Sequence, residues 1–532
     1  MTEISSIVAT SVTRRSTLRA AGAGAALLGL GLSGCRSAAT GGAASADASG
    51  DAKPVKGGTL TIASQQDFTP ALLFTISGAC LPQRLIYNTL TVYDKNFDPQ
   101  PELATKWDVS DDGRTVTLHL REGVTFHDGR AFTADDVVSS IKNTQNPDRS
   151  AQLRSTALAI TGFDKKGDHE LVLTLDHPVS NLFDLFEFMI ISDGGNVPDA
   201  LTGKKFNGTG PFRAKKWTPG TSFTFERNDA YWKDEGPYLD AVEIRVISET
   251  DSIASALKTG EVHLTFQLDG KNNKAFSSQP AFTVNQFSYG TGGSYYVGAN
   301  VTHPELKEKA VRQAISYAVD RDRLVSQVMY GFGTATDTPW TKDSVAFAPS
   351  EPVSRKHDPA KARELLKSVG ATGLKLTMEY VTGQDAFAQL VQYDLKQVGI
   401  TVDIVPRDPA AWQKKLIAQD FDALWCGGHG FGQSIPSTLA VSAYPFNAEK
   451  NTSKFSSAAY KKLAVGAWNT TADPTGAAAR GLYKKLTDLL LDECFVIDLA
   501  AVPATAVYTT KLHDIAINRY GLLDLDTAYL AK

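Results

Sequence analysis

Three places in the sequence carry residue types that could do chemistry. His127-Asp128 could serve as an acid-base dyad, Cys426 with His429 in Cys426-Gly427-Gly428-His429-Gly430 could ligate a metal, and the Cys35 thiol could carry a covalent modification. The first pair runs into an Asp128-Gly129 turn, where such side chains ordinarily bond local backbone. His429 has no second His or Cys nearby beyond Cys426, so a hydrogen-bonding loop histidine is the simpler reading. Gly432-Gln433-Ser434-Ile435-Pro436 is not a G-x-S-x-G elbow, and neither H-E-x-x-H nor a phosphate-cradling G-x-x-x-x-G-K-[ST] occurs. Gly29-Leu30-Gly31-Leu32-Ser33-Gly34 matches the dinucleotide fingerprint by its letters, but it follows no strand. After Cys35 only Cys80, Cys426 and Cys494 remain, with no C-x-x-C spacing, which allows one disulfide at most and argues against a zinc cluster. With no nucleophile paired to a base and no cradle for a cofactor, the sequence reads as a non-enzymatic protein without cofactor or metal.

Cys35 needs a different explanation. Arg14-Arg15 precedes a weakly apolar Ala/Gly/Leu run over residues 20–33, which is too short for the roughly 20 residues that a membrane span requires. A paired arginine before such a run is what the twin-arginine route reads, and that route exports folded chains. Leu32-Ser33-Gly34-Cys35 resembles the lipobox of bacterial lipoproteins, which implies cleavage after residue 34 and diacylation of Cys35. Residues 35–56 are small and polar, a flexible tether that lets a folded body reach a membrane partner.

The whole chain carries a net charge of -4. Arg14, Arg15 and Arg19 against Glu3 make the export segment +2, which leaves -6 for the remainder, an acidic balance that argues against nucleic acid. A hydrophobic fraction of 42% over this length supports two or three domains with substantial cores.

The elements that position these residues are readable from periodicity. Period-two runs at 57–63, 115–120, 171–175, 222–226 and 241–247 predict strands. Helices are expected from Asp251 to Gly260, from Thr133 with its Asp136 partner, and from Asp358-Pro359 to Gly370. The longest is expected from about Glu305, with Leu306, Ala310, Val311, Ala314, Ile315, Ala318 and Val319 on its core face. A helix over 384–398 followed by a strand at 400–405 makes the architecture α/β, and no fixed-period repeat suggests a solenoid.

Between 101 and 138 the chain reads Pro101-Glu102-Leu103-Ala104, Trp107, Asp111-Asp112-Gly113-Arg114, Leu120-Arg121-Glu122-Gly123-Val124, Phe126-His127-Asp128-Gly129 and Phe132-Thr133-Ala134-Asp135-Asp136-Val137. Further on stand Asn207-Gly208-Thr209-Gly210-Pro211-Phe212, Arg227-Asn228-Asp229-Ala230-Tyr231-Trp232, a run from Val311 to Arg321, and Asp358-Pro359-Ala360-Lys361-Ala362. Together and in this order these closely resemble the extracellular solute-binding proteins of family 5, the oligopeptide, dipeptide and nickel receptors of ABC importers. The resemblance implies a two-lobed periplasmic-binding-protein-like fold of class II type with an extra domain inserted in the first lobe. The expected divisions are 57–83, 205–290 and 501–532 for the discontinuous first-lobe domain, 84–204 for the insert and 291–500 for the second lobe. Hinge crossings are expected near 294–300 and 495–507, with closure of the lobes burying the solute.

By the same resemblance, the loop at 64–69 and the loop at 425–436 face the cleft. Gln65, Gln66 and Gln433 would exchange hydrogen bonds with the solute, Phe68, Trp425 and Phe431 would offer flat apolar surface, and His429 joins this set. Gly427, Gly428, Gly430 and Gly432 would let backbone approach the solute. Peptide-binding relatives carry Trp-x-Ala-Asp followed by Asp-Pro or Glu-Pro, and the first aspartate pairs with the ligand's α-ammonium. Here the count from Trp425 puts Gly428 at that aspartate, and the count back from Pro436 puts Gly432 there. Unless another carboxylate has moved into the closed cleft, a free amine would then lack its partner, and N-blocked peptides or uncharged polar solutes are expected to bind better. The reading is a monomeric, extracytoplasmic, lipid-anchored receptor that delivers a peptide or peptide-like solute to the permease subunits of an ABC importer. An oligosaccharide, another polar metabolite or a chelated metal is the alternative cargo; a hydrolase or surface sensor on the same fold is the alternative class.

Overall fold

The computed structural model describes residues 54–532 except 76–80, 95–97, 267, 288–292, 341–343, 348–354, 430–434, 470–475 and 519–521. Arg14, Arg15, Cys35, Cys80, Phe431 and Gln433 therefore lie outside the described residues.

The alternation at the start of the folded body makes the strand Thr59–Ser64, whose Leu60 and Ile62 are fully buried. It sits inside a seven-stranded sheet, parallel to Ala241–Val246 on one side and to Leu264–Thr265 on the other. Ser222–Arg227 and Phe212–Thr218 extend the sheet beyond the first of these neighbours; Ala504–Thr509 and Phe282–Phe287 extend it beyond the second. A separate six-stranded sheet runs in the order Thr334–Ala335, Val496–Val502, Gly293–Ala299, Leu424–His429, Lys375–Val381 and Thr401–Arg407. The chain passes from the first sheet to the second between Phe287 and Gly293 and returns between Val502 and Ala504. The first crossing thus falls just before the 294–300 segment expected to form it; that segment lies almost wholly in a second-sheet strand.

Between Ser64 and Phe212 the chain builds a third, antiparallel sheet from Ala104–Val109, Thr115–Leu120, Glu170–Leu175 and Ile160–Lys165. It has its own core, in which Val116, Leu118, Leu171 and Leu173 pack against Val137 and Ile141 of the helix Ala134–Gln145. Thr133 caps that helix through a capping box with Asp136, as the sequence pattern predicts.

Around the second sheet, side-chain alternation sorts the apolar residues into two cores. Val297 and Cys426 face one, while Tyr296 and Trp425 face the other. The helix expected from Glu305 begins at Lys309, because residues 303–307 form a turn in which Leu306 and Lys307 both donate to the His303 carbonyl. Its apolar stripe survives, with Val311, Ala314, Ile315 and Ala318 at 1% exposure or less; burying a residue such as Ile315 stabilises by about 1.5–3 kcal/mol. The longest described helix is instead Ala477–Glu493, held by Ala479, Tyr483, Leu486 and Leu490.

Candidate functional site

Strand direction locates the site. Phe282–Phe287 runs parallel to Thr59–Ser64, since two antiparallel pairings separate it from a strand that is itself parallel to Thr59–Ser64. Ser64 therefore ends its strand at the same sheet edge from which the chain leaves for the second sheet. On the second sheet Gly293–Ala299 starts at the crossing, and its antiparallel neighbour Leu424–His429 ends there, with Ser294 opposite His429. The segments after Ser64 and after His429 consequently emerge at the two sheet edges that the crossings connect.

At the first edge Gln66 is exposed and helps line a small cavity with Ser64, Asp67 and Phe68. Gln65 is held back, donating to the Ser248 carbonyl at 3.3 Å and to Thr250 Oγ1 at 2.9 Å. Asp67 fixes the loop by accepting from Trp217 Nε1 at 3.1 Å and the Gly220 N–H at 2.7 Å. Phe68 is enclosed by Phe206, Trp217 and Phe223, with ring centroids 5.3–5.6 Å away.

At the second edge Trp425 has no exposed surface; its indole stacks on Phe421 at 4.9 Å and covers the backbone at Gly298, where a Cβ would lie 2.2 Å from the ring. In this conformation Phe68 and Trp425 brace the loops, and neither offers a flat surface to a solute. Gly427 likewise serves packing, since a Cβ there would sit 2.5 Å from Trp412, whereas Gly428 has open room to 3.7 Å. His429 is buried with Nε2 3.0 Å from Asp498 Oδ1, and Ser294 Oγ donates to the same oxygen at 2.7 Å. His429 Nδ1 has no hydrogen-bond partner among the described residues.

Asp498 is the residue the sequence reading passed over. It is the one charged side chain in the otherwise apolar strand Val496–Val502, and that isolation was the available signal. Its Oδ1 takes both hydrogen bonds, while Oδ2 makes none among the described residues. The glycines at the alignable positions therefore do not leave this sheet edge without a carboxylate.

The other candidate chemistries resolve into structure. Positions 426 and 429 are three apart on one strand, so Cys426 and His429 face opposite sides of the sheet. Cys426 and Cys494 are both buried and free, and burial raises both thiol pKa values. No cluster of three or more His, Cys, Asp or Glu suited to a metal occurs among the described residues. His127 Nε2 meets the Gly210 carbonyl at 3.0 Å, and burial pushes its pKa down to about 4, so the ring is neutral. Asp128 pairs with Asn207 at 2.9 Å, tying the Asp128-Gly129 turn to the Asn207-Gly208-Thr209-Gly210 segment. That segment in turn lies so close to Ile86 that a Cβ at Gly208 would be 2.0 Å from its carbonyl oxygen.

Two sheets joined by two crossings, with polar groups gathered where the crossings leave, define a two-lobed solute-binding protein. The chain belongs to the bacterial extracellular solute-binding proteins, family 5, whose model matches residues 98–450, and it is a binding protein rather than an enzyme. It is 27% identical over 507 residues to the di/tripeptide-binding protein 1 of Pseudomonas aeruginosa, covering 86% of this chain and 91% of that protein. It is 30% identical over 409 residues to the oligopeptide-binding protein AppA of Bacillus subtilis, covering 70% and 74%. The Helicobacter pylori periplasmic binding protein DppA, solved in complex with the peptide STSA, shares the fold with a TM-score of 0.77 at 23% identity, over 90% of this chain and 99% of that one.

Proposed function

We propose that the protein is a lipid-anchored, extracytoplasmic receptor that captures a peptide or peptide-like solute between its lobes and hands it to an ABC import permease. The observation that carries this reading is the gathering of polar groups at the two sheet ends that the crossings connect: Ser64 and Gln66 on the first lobe, Ser294, His429 and Asp498 on the second. The names of the relatives, di/tripeptide- and oligopeptide-binding, support the solute class. Within the cleft Gln66 exchanges hydrogen bonds with peptide groups, and Asp498 Oδ2 accepts the ligand's ammonium while His429 and Ser294 hold the carboxylate in place. Phe431 and Gln433 would complete the second-lobe wall.

Calorimetry with trialanine and N-acetyl-trialanine tests this reading, alongside mass spectrometry of what co-purifies. Wild type should prefer the free amine, and Asp498→Asn should weaken trialanine by about 100-fold or more, since a buried ion pair that loses one partner costs roughly 3–5 kcal/mol. The N-acetyl form should change little. Equal loss for both peptides would reduce Asp498 to a packing role, and binding of neither peptide by wild type would remove peptides as the cargo.

A further inference from the structure

The inserted region touches the second lobe through a polar contact that neither sheet predicts. Asn181 and Asp184, at the start of the helix Leu182–Phe188, meet Thr438 and Ile435 at the start of the helix Pro436–Ser442, on the far side of the segment that follows His429. A directional chain of hydrogen bonds crosses the boundary. Trp468 Nε1 donates to Asn181 Oδ1 at 2.9 Å, Asn181 Nδ2 donates to Thr438 Oγ1 at 3.0 Å, and Thr438 Oγ1 donates to Asp184 Oδ2 at 2.9 Å. The Ile435 N–H reaches the same Asp184 oxygen at 3.2 Å, Tyr93 OH supports the other oxygen at 3.1 Å, and the Ser180 N–H donates to the Trp468 carbonyl at 2.7 Å. Asn181, Asp184 and Thr438 have no exposed surface.

Two features make this a contact built to open. Apart from the Trp468 ring, its facing groups are hydroxyls, an amide and a carboxylate, which water can satisfy when the surfaces part; an apolar seam would resist separation. In addition, its residues lie on elements outside the crossing strands, so rotation of the lobes about the crossings makes or breaks it. Serial donation from Trp468 to Asp184 polarises each bond in the chain and strengthens the closed arrangement as a unit.

We infer that residues 180–184 of the inserted region are a closure clasp, with Asp184 and Asn181 positioning the second-lobe segment on the far side of residues 430–434 and thereby setting how long the solute is retained. This rests on the proposed peptide-binding cleft for the solute, but the clasp itself can be read without one.

The direct probes are the backbone N–H groups of Ser180 and Ile435, which are protected from hydrogen exchange only while the clasp is made. The main variant is Thr438→Val, which removes the bridging hydroxyl without touching the inserted region; Asp184→Asn is the counterpart from the other side. Without solute, Thr438→Val should speed exchange at both amides by about tenfold or more, the equivalent of one or two net hydrogen bonds. Exchange in the strand Thr115–Leu120 should stay at the wild-type rate, showing that the inserted region remains folded. With trialanine as the probe, wild type should become more compact by X-ray scattering, and the variant should release the peptide about tenfold faster with an unchanged association rate. Wild-type exchange at Ser180 and Ile435 in the variant would overturn the clasp, and so would wild-type release of trialanine despite faster exchange. If trialanine fails to compact or bind wild type, the peptide reading fails, and the solute-free exchange comparison still decides the clasp.

Discussion

Asp526 shows how one residue can make stability depend on pH. It is half-buried beside Lys233 at 2.5 Å and Tyr231 OH at 2.9 Å, with Glu102 3.1 Å from the same ammonium and Asp524 paired to Arg84 at 3.7 Å. Burial, then Asp524, push its pKa up, Lys233 pulls it down and Glu102 adds to the rise, with the result at about 7. A carboxyl raised this way binds its proton more tightly folded than unfolded, so its contribution is full below about pH 4 and is lost as pH climbs toward 7. Asp526→Asn removes that slope. Urea unfolding should show the stability difference moving in the variant's favour by a few kcal/mol between pH 4 and 8, at about 1.4 kcal/mol per pKa unit. Parallel stability curves for the two proteins would contradict the assignment. Asp498 makes the complementary point about legibility: a lone charge in an apolar strand was visible in the sequence, but its neighbours His429 and Ser294 come from strands 69 and 204 residues away.

At the scale of elements, the sequence was informative wherever the cause was local. The strand Thr115–Leu120, the capping box at Thr133, the Asp358 side chain capping Lys361 N–H, and the left-handed Gly260 that ends the helix Thr250–Thr259 all follow from residues within a few positions of one another. What tertiary packing decides was not readable. Phe68, in a loop, and Trp425, on a strand where a loop is expected from the sequence, both turn inward because Phe206, Phe223 and Phe421 wait there. The proposed clasp joins Asn181 to Thr438, 257 positions away, through ordinary polar side chains, so no local pattern marks it. Gly427 and Gly428 turn this difference into a measurement. Gly427→Ala drives a methyl toward Trp412 and should destabilise by about 1–3 kcal/mol, whereas Gly428→Ala meets only ordinary contacts and should leave urea midpoints unchanged. An unchanged midpoint for Gly427→Ala as well would mean that the strand or Trp412 shifts to accept the methyl.

Over the whole molecule, the separate cores of the two lobes allow rigid-body closure, since the large buried clusters around the first sheet and around the second can each move intact about the crossings. No described helix is long and apolar enough to cross a membrane. The anchoring we propose is the thioether-linked diacyl group on Cys35, followed by the polar tether over residues 35–56. A single acyl chain gives marginal, reversible attachment, at about 0.8 kcal/mol per buried methylene, whereas two chains hold stably. Cys35→Ala should therefore abolish lipid labelling and release the protein from membranes, while its circular dichroism and trialanine affinity match those of wild type. Arg14→Lys with Arg15→Lys separates export from anchoring, because it keeps the charge of the segment while removing the paired arginines that the folded-export route reads. That double variant should accumulate unprocessed in the cytosol; translocation at the wild-type rate would show that the general secretory path carries the chain, and lipid labelling of Cys35→Ala would place the anchor on another residue.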